Sequence, residues 1–311
     1  MQIFMTGASG YVGGPVAEVL RAAGHRITAL ARSDRAAAKL DALGVRVLRG
    51  DLMDVASLAR GARAADAVIH LGFHRTRDVA RVDGESTDAL IDALAGSGKT
   101  FIYTSGGTVT GDTGHGVHDE THPLAIGTST GWRGAIEMRA LAGCGRGVRA
   151  VAVRPPMVYG RGGSSTLLVM VDSARNEGAA RLVGDGANRW STVHVDDLAA
   201  IYRLLIEQSP AGHVFNAASE EVLSFRRMAE LCSIAGGAGG RVKSWSIEEA
   251  RASQRYLDSF HPDIVTRNTV LSGRKAREML GWIPKGPALA DDMTRGSYVH
   301  VERAVGEGVV S

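Results

Sequence analysis

Through the first 155 residues, short apolar runs alternate with stretches whose apolar positions recur at helical spacing. The runs Gln2–Met5, Arg26–Ala31, Val45–Leu48, Ala67–Leu71, Thr100–Thr104 and Val148–Val153 carry few polar interruptions, as strands covered on both faces do. The intervening segments predict helices over Gly13–Ala23, Ala36–Leu43, Val55–Gly61 and Val79–Gly96, with one more near Ala135–Ala142. Gly24 and Gly44 stand where helices commonly stop. Strands and helices in strict alternation predict an α/β doubly wound parallel sheet. The second half is less regular. It predicts helices at Thr166–Asn176, Asp196–Glu207 and Phe225–Ala235, a strand at His213–Asn216, and a short helix inside Leu271–Asp292. These pieces suggest a smaller C-terminal α/β lobe. The expected division gives 1–160 to the first domain, with 190–217 returning to it, and 161–189 plus 218–311 to the lobe.

The turn between the first strand and first helix reads Thr6-Gly7-Ala8-Ser9-Gly10-Tyr11-Val12-Gly13. Glycines at that spacing let the backbone turn tightly and approach a pyrophosphate, which the helix N-terminus then receives. Gly7, Ser9, Gly10, Tyr11 and Val12 are therefore expected to cradle a nicotinamide dinucleotide. An NAD site usually places Asp or Glu at the end of the second strand. Here Ala31-Arg32-Ser33 stands there, and Asp34 comes one or two residues late. A guanidinium forks onto a phosphate and a serine adds a donor, so Arg32 and Ser33 favour NADP(H) over NAD(H). Asp51 and Leu52 are expected by the adenine. Leu71, Gly72 and Phe73 are expected along the path to the nicotinamide.

Composition removes several alternatives. Lys+Arg 36 against Asp+Glu 33 leaves a net charge of +3, scattered along the chain, which gives no reason to expect nucleic acid. Cys144 and Cys232 lie far apart without metal-ligand spacing, so unpaired thiols and no metal are expected. No apolar run has the length of a membrane span, and strand-like residues begin at Gln2 with no room for a signal peptide. A cytoplasmic monomer or homodimer is expected.

These motifs together resemble the extended short-chain dehydrogenase/reductases of the NAD-dependent epimerase/dehydratase family. The resemblance rests on Thr6–Gly13, Gly50-Asp51-Leu52, Tyr103-Thr104-Ser105, Arg154–Gly160, Trp190–Leu198 and Leu280–Pro284. It implies a Rossmann sheet with a substrate lobe. It also implies that Thr104, Ser105, Pro155, Met157 and Val158 lie near the nicotinamide. The family's catalytic pair is a tyrosine followed four residues later by lysine, whose charge lowers the tyrosine pKa. Tyr-x-x-x-Lys occurs nowhere in this chain. Aligning Glu137 with the family's following glutamate puts Ser129 at the tyrosine place and Arg133 at the lysine place. Gly106 takes the serine place, with Ser105 beside it.

Arg133 could still hold the nicotinamide ribose and supply positive charge, but it cannot donate a proton. Ser129 is a pocket residue or an unassisted acid. Ser105, Thr108 and Thr104 could orient a carbonyl or merely cap the fifth strand. His115 and His118 sit on a glycine-rich loop, and His194 is expected to be structural. Epimerases and dehydratases need a strong positioned base, whereas ketone reduction mainly needs the hydride donor held close. The expectation is an NADPH-dependent ketoreductase for a polycyclic aromatic, angucyclinone-type polyketide ketone in antibiotic biosynthesis. A phenol on the substrate would replace the missing Tyr/Lys. Two alternatives stay open: a non-catalytic NADP(H)-binding sensor, and a sugar-nucleotide epimerase/dehydratase. Met157, Trp132, Trp190, Phe215 and Tyr256 are apolar candidates for the pocket or the core.

Overall fold

The computed structural model describes residues 1–74, 78–128, 131–252 and 262–299. Tyr256 and Ser129 lie outside the described residues. Seven parallel strands form the main sheet in the order β3-β2-β1-β4-β5-β6-β10. They are β1 (Gln2–Thr6), β2 (Arg26–Ala31), β3 (Arg46–Arg49), β4 (Ala67–His70), β5 (Thr100–Thr104), β6 (Arg149–Arg154) and β10 (His213–Asn216). Crossover helices α1 (Gly13–Ala22), α2 (Asp34–Ala42), α3 (Val55–Arg63), α4 (Val79–Leu94) and α5 (Gly131–Ala142) cover both faces. The chain direction of assembly reverses between β1 and β4, and the crevice beyond their carboxyl ends is where such sheets take ligands.

Alternation decides which face each residue serves. Ile3, Met5, Ile69, Ile102 and Val153 point toward α1, α2 and α7 (Val195–Gln208), and pack with Val16, Leu20, Leu40 and Leu198. Phe4, Val68, Phe101, Tyr103 and Ala152 point the other way onto Leu58, Leu90 and Ile136 of α3, α4 and α5. Gly61 of α3 lies flat on Phe4, where an added Cβ would meet the ring at 2.5 Å. A third core collects Met157, Leu167, Met170, Trp190, Phe225 and Met228. They come from β7 (Met157–Tyr159), α6 (Ser165–Glu177), β9 (Arg189–His194) and α8 (Phe225–Ala235).

Five short strands escape the apolar pattern. β7 and β9 form a sheet with β11 (Val222–Ser224), and β8 (Ala180–Val183) pairs with β12 (Val242–Trp245). β7 and β11, of three residues each, are too brief to show a period. α5 begins four residues before the predicted Ala135. Gly131 and Gly134 depress helix propensity, yet Gly131 is required because a Cβ there would strike the Ile126 carbonyl. Phe215 and Trp190 are buried in cores, and Trp190 donates to the Arg267 carbonyl at 2.8 Å. Among the described residues no helix is long and apolar enough to cross a membrane.

Candidate functional site

Residues Gly7, Ser9, Gly10, Tyr11, Val12, Arg32, Ser33, Asp51, Leu52, Leu71, Gly72 and Phe73 border one cleft of about 350 Å³ at the sheet's carboxyl edge. Gly7 has φ +72°, and a Cβ on it would lie 2.6 Å from the Leu71 carbonyl carbon. A Cβ on Gly13 would collide with the Gly7 carbonyl. The turn is thus compressed against both β4 and its own helix, which leaves its backbone facing the cleft. No side chain caps the N-terminus of α1. Its first amides and dipole end are placed to receive a pyrophosphate. A dinucleotide fits this cradle.

Tyr11 turns away from the turn and donates to the Gly160 carbonyl at 2.9 Å. Burial pushes its phenol well above the usual range, with Tyr298 nearby adding to the rise, so it stays protonated. Arg161 pairs with Glu18 of α1 at 2.6 Å and with Asp196 of α7 at 2.8 Å. The cofactor turn is in this way fastened to the strand-end loop 160–164.

At the far side of the cleft, Arg32 is held between Asp51 (Nε to Oδ2, 3.7 Å) and His74 (Nη1 to Nε2, 3.2 Å). Ser33 caps α2 by accepting from the Ala36 amide at 3.2 Å, which leaves its hydroxyl proton to donate elsewhere. Asp34 is drawn off by Arg49 at 2.5 Å and does not occupy the acidic place of an NAD site. Gly50, quoted in the Gly50-Asp51-Leu52 motif, also borders the cleft, as do His74, Leu30 and Ala36, which no motif marks. Only the fold brings the residue four past β4 against the end of β2.

Beside Phe73 at the cleft's edge lie the ends of β5 and β6 and the start of α5. The Ser105 amide donates to the Val153 carbonyl at 2.8 Å, and Arg133 Nη1 donates to the Ser105 carbonyl at 3.2 Å. Phe73 and Trp132 flank the Arg133 guanidinium, 4.9 and 5.0 Å from its carbon. These contacts bring Phe73, Ser105 and Arg133 together. The Ser105 hydroxyl is buried, and among the described residues nothing hydrogen-bonds it. Thr104 is engaged with Tyr202 at 2.8 Å. Thr108 sits in the single-turn helix Gly107–Thr110, whose first amide donates to the Pro155 carbonyl at 2.8 Å. Met157 is buried in β7 among the third core, and Val158 packs on the α1 side of the main sheet. His194 accepts from the Asp196 amide and caps α7, while His118 stacks on His122 with ring centres 4.1 Å apart.

Beneath the cleft runs a buried polar chain. The Gly72 amide donates to Thr6 Oγ1 at 2.9 Å, Thr6 meets His70 Nδ1 at 2.6 Å, and His70 Nε2 lies 3.4 Å from Asp83. Tyr103 donates to Asp83 at 2.6 Å. Burial works to raise the Asp83 carboxyl. The His70 contact, the Arg133 charge and the Tyr103 hydroxyl outweigh it and hold the group below its usual range. A second buried pair, Glu137 with Arg154 (Nε to Oε2, 2.9 Å), fixes α5 to the end of β6.

The profile of the family described as "NAD dependent epimerase/dehydratase family" matches residues 3–218. An uncharacterised protein of Saccharomyces cerevisiae is 33% identical, over 96% of this chain and 99% of its own. The 4-hydroxy-2-methyl-3-oxo-4-farnesyl-3,4-dihydroquinoline-1-oxide ketoreductase of Stigmatella aurantiaca is 28% identical, over 95% of this chain and 90% of its own. Among solved structures, the Thermus thermophilus UDP-glucose 4-epimerase complex with NAD superposes with a TM-score of 0.78 at 19% identity. That match covers 97% of this chain and 100% of the other.

Proposed function

The chain belongs to the NAD dependent epimerase/dehydratase family, and on that premise we propose that it is an NADPH-dependent ketoreductase. Its substrate is a polycyclic aromatic ketone, of angucyclinone type, whose own hydroxyl replaces the family's proton donor. The observation that carries the reading is a contrast between structure and sequence. The cleft has a cradle that fits a dinucleotide, while Tyr-x-x-x-Lys occurs nowhere in the chain and Ser129 and Arg133 align with its two places.

When bound, the cofactor supplies hydride. Phe73, Ser105 and Arg133 would surround the reacting carbonyl, with Thr108 on the adjoining turn. Arg133 keeps its proton at any working pH, so it can stabilise the oxygen that gains negative charge but cannot protonate it. The Ser105 hydroxyl can donate one hydrogen bond to that oxygen. The final proton then comes from the substrate. A phenol beside the carbonyl already shares its proton with that oxygen through an internal hydrogen bond. The Stigmatella relative, named as the ketoreductase of a bicyclic aromatic 3-oxo compound, supports reduction of a ring ketone. Removal of a proton from an unactivated carbinol has no such help, which disfavours epimerisation. We place the protein in the cytoplasm as a monomer or homodimer.

The test follows NADPH oxidation with a ring ketone bearing a neighbouring phenol, and with its methyl ether. The free phenol should turn over. Methylation should cost ~10²–10⁴ in kcat, the usual yield of a general acid. Equal turnover of the ether, combined with a requirement for Ser129, would sink the substrate-assisted reading.

A further inference from the structure

The cationic corner of the cleft contains more than the arginine. We propose that His74 is a second ligand for the 2′-phosphate of NADP(H), acting opposite Arg32 and setting preference for the phosphorylated cofactor. This rests on the NADP(H) reading above.

The geometry orients the guanidinium first. Asp51 faces its Nε edge from the β3 side at 3.7 Å, and Asp51 is itself fixed by the Met53 amide at 2.9 Å. The Nη1 edge is thereby presented to the β4 loop, where His74 Nε2 lies 3.2 Å away. Both groups border the cleft. A guanidinium can only donate, so in the free protein the imidazole nitrogen must accept. A phosphate offers three strong acceptor oxygens. Arg32 can satisfy two of them by its fork. The third would face β4, where the same imidazole can turn from acceptor to donor. Ser33, at the cap of α2, borders the same cleft. An unphosphorylated ribose offers no anion to either side chain, so His74 should act on one cofactor and not on the other.

The probes are 2′,5′-ADP and 5′-AMP, with affinities read by titration calorimetry on the full chain. Wild type should bind 2′,5′-ADP more tightly. His74→Phe should lose about tenfold of that affinity, the size of one charge-assisted hydrogen bond, and keep its affinity for 5′-AMP. His74→Gln retains an N–H donor and should lose less. Affinity for 5′-AMP also reports that each variant is folded. If His74→Phe binds 2′,5′-ADP as wild type does, or weakens both ligands equally, the role of His74 is overturned. If that happens while Arg32→Ala abolishes the preference, the NADP(H) reading stands without His74. A wild type that does not distinguish the two ligands overturns the NADP(H) reading itself.

Discussion

The two ends of the cleft are built from different materials. At the adenosine end, backbone does the binding: Gly7, Gly10 and Gly13 admit a pyrophosphate, and α1 offers its N-terminal amides. At the nicotinamide end, side chains must do the chemistry, and the family's Tyr-x-x-x-Lys pair occurs nowhere in the chain. Backbone geometry tolerates almost no substitution, because a Cβ at Gly7 or Gly13 has nowhere to go. Side-chain chemistry can be exchanged as long as the substrate supplies what is lost. A fold can therefore keep its cofactor and change its reaction.

The comparison breaks first at the turn. Gly7→Ala should abolish detectable dinucleotide binding, a loss of at least about a hundredfold. The residue would be strained at φ +72°, and its methyl would press on Leu71 and Gly72. Fluorescence titration with NADPH reads the loss. Binding kept within tenfold would mean the pyrophosphate lies elsewhere. The next largest effect concerns the buried chain joining the two ends. Asp83→Asn leaves His70 and Tyr103 with a neutral partner and should cost about 3 kcal/mol in urea unfolding at neutral pH. The native carboxyl titrates below its usual range, so its contribution is complete above about pH 4 and is lost as pH falls through the native pKa. Wild type should lose stability on acidification more steeply than the variant. Parallel acid limbs would show that Asp83 is not charged in the native state.

How much could be read from the chain follows the same division. The main sheet and the glycine turn were legible because burial on both faces and a tight turn each demand particular residues at short range. β7 and β11 were not, since three residues are too few to show a period. His74 was invisible for another reason: only folding sets it beside Arg32. The His70–Asp83–Tyr103 chain likewise joins β4, α4 and β5 without a motif. Met157 was marked through a family loop for the nicotinamide, and it lies buried in the third core.

Two changes at the nicotinamide end sharpen the contrast. Arg133→Ala should lower kcat/KM by about tenfold to a hundredfold and leave 2′,5′-ADP affinity unchanged, since Arg133 stands beside Ser105 and Phe73 rather than in the phosphate cradle. Weakened binding of that adenosine fragment would show that the two ends are not separable.

The smallest effect is also the most discriminating. Removing a buried hydroxyl usually costs stability, because its partner is left unpaired. Ser105 is different, since its hydroxyl has no partner among the described residues. Ser105→Ala should therefore leave the melting temperature unchanged or raise it slightly, by the equivalent of less than about 1 kcal/mol. If that hydroxyl serves a substrate oxygen, the same variant should lower kcat by about three- to tenfold. Stability kept and turnover lost is the signature of a group whose partner arrives with the ligand. Stability lost and turnover kept would assign Ser105 to the end of β5 instead.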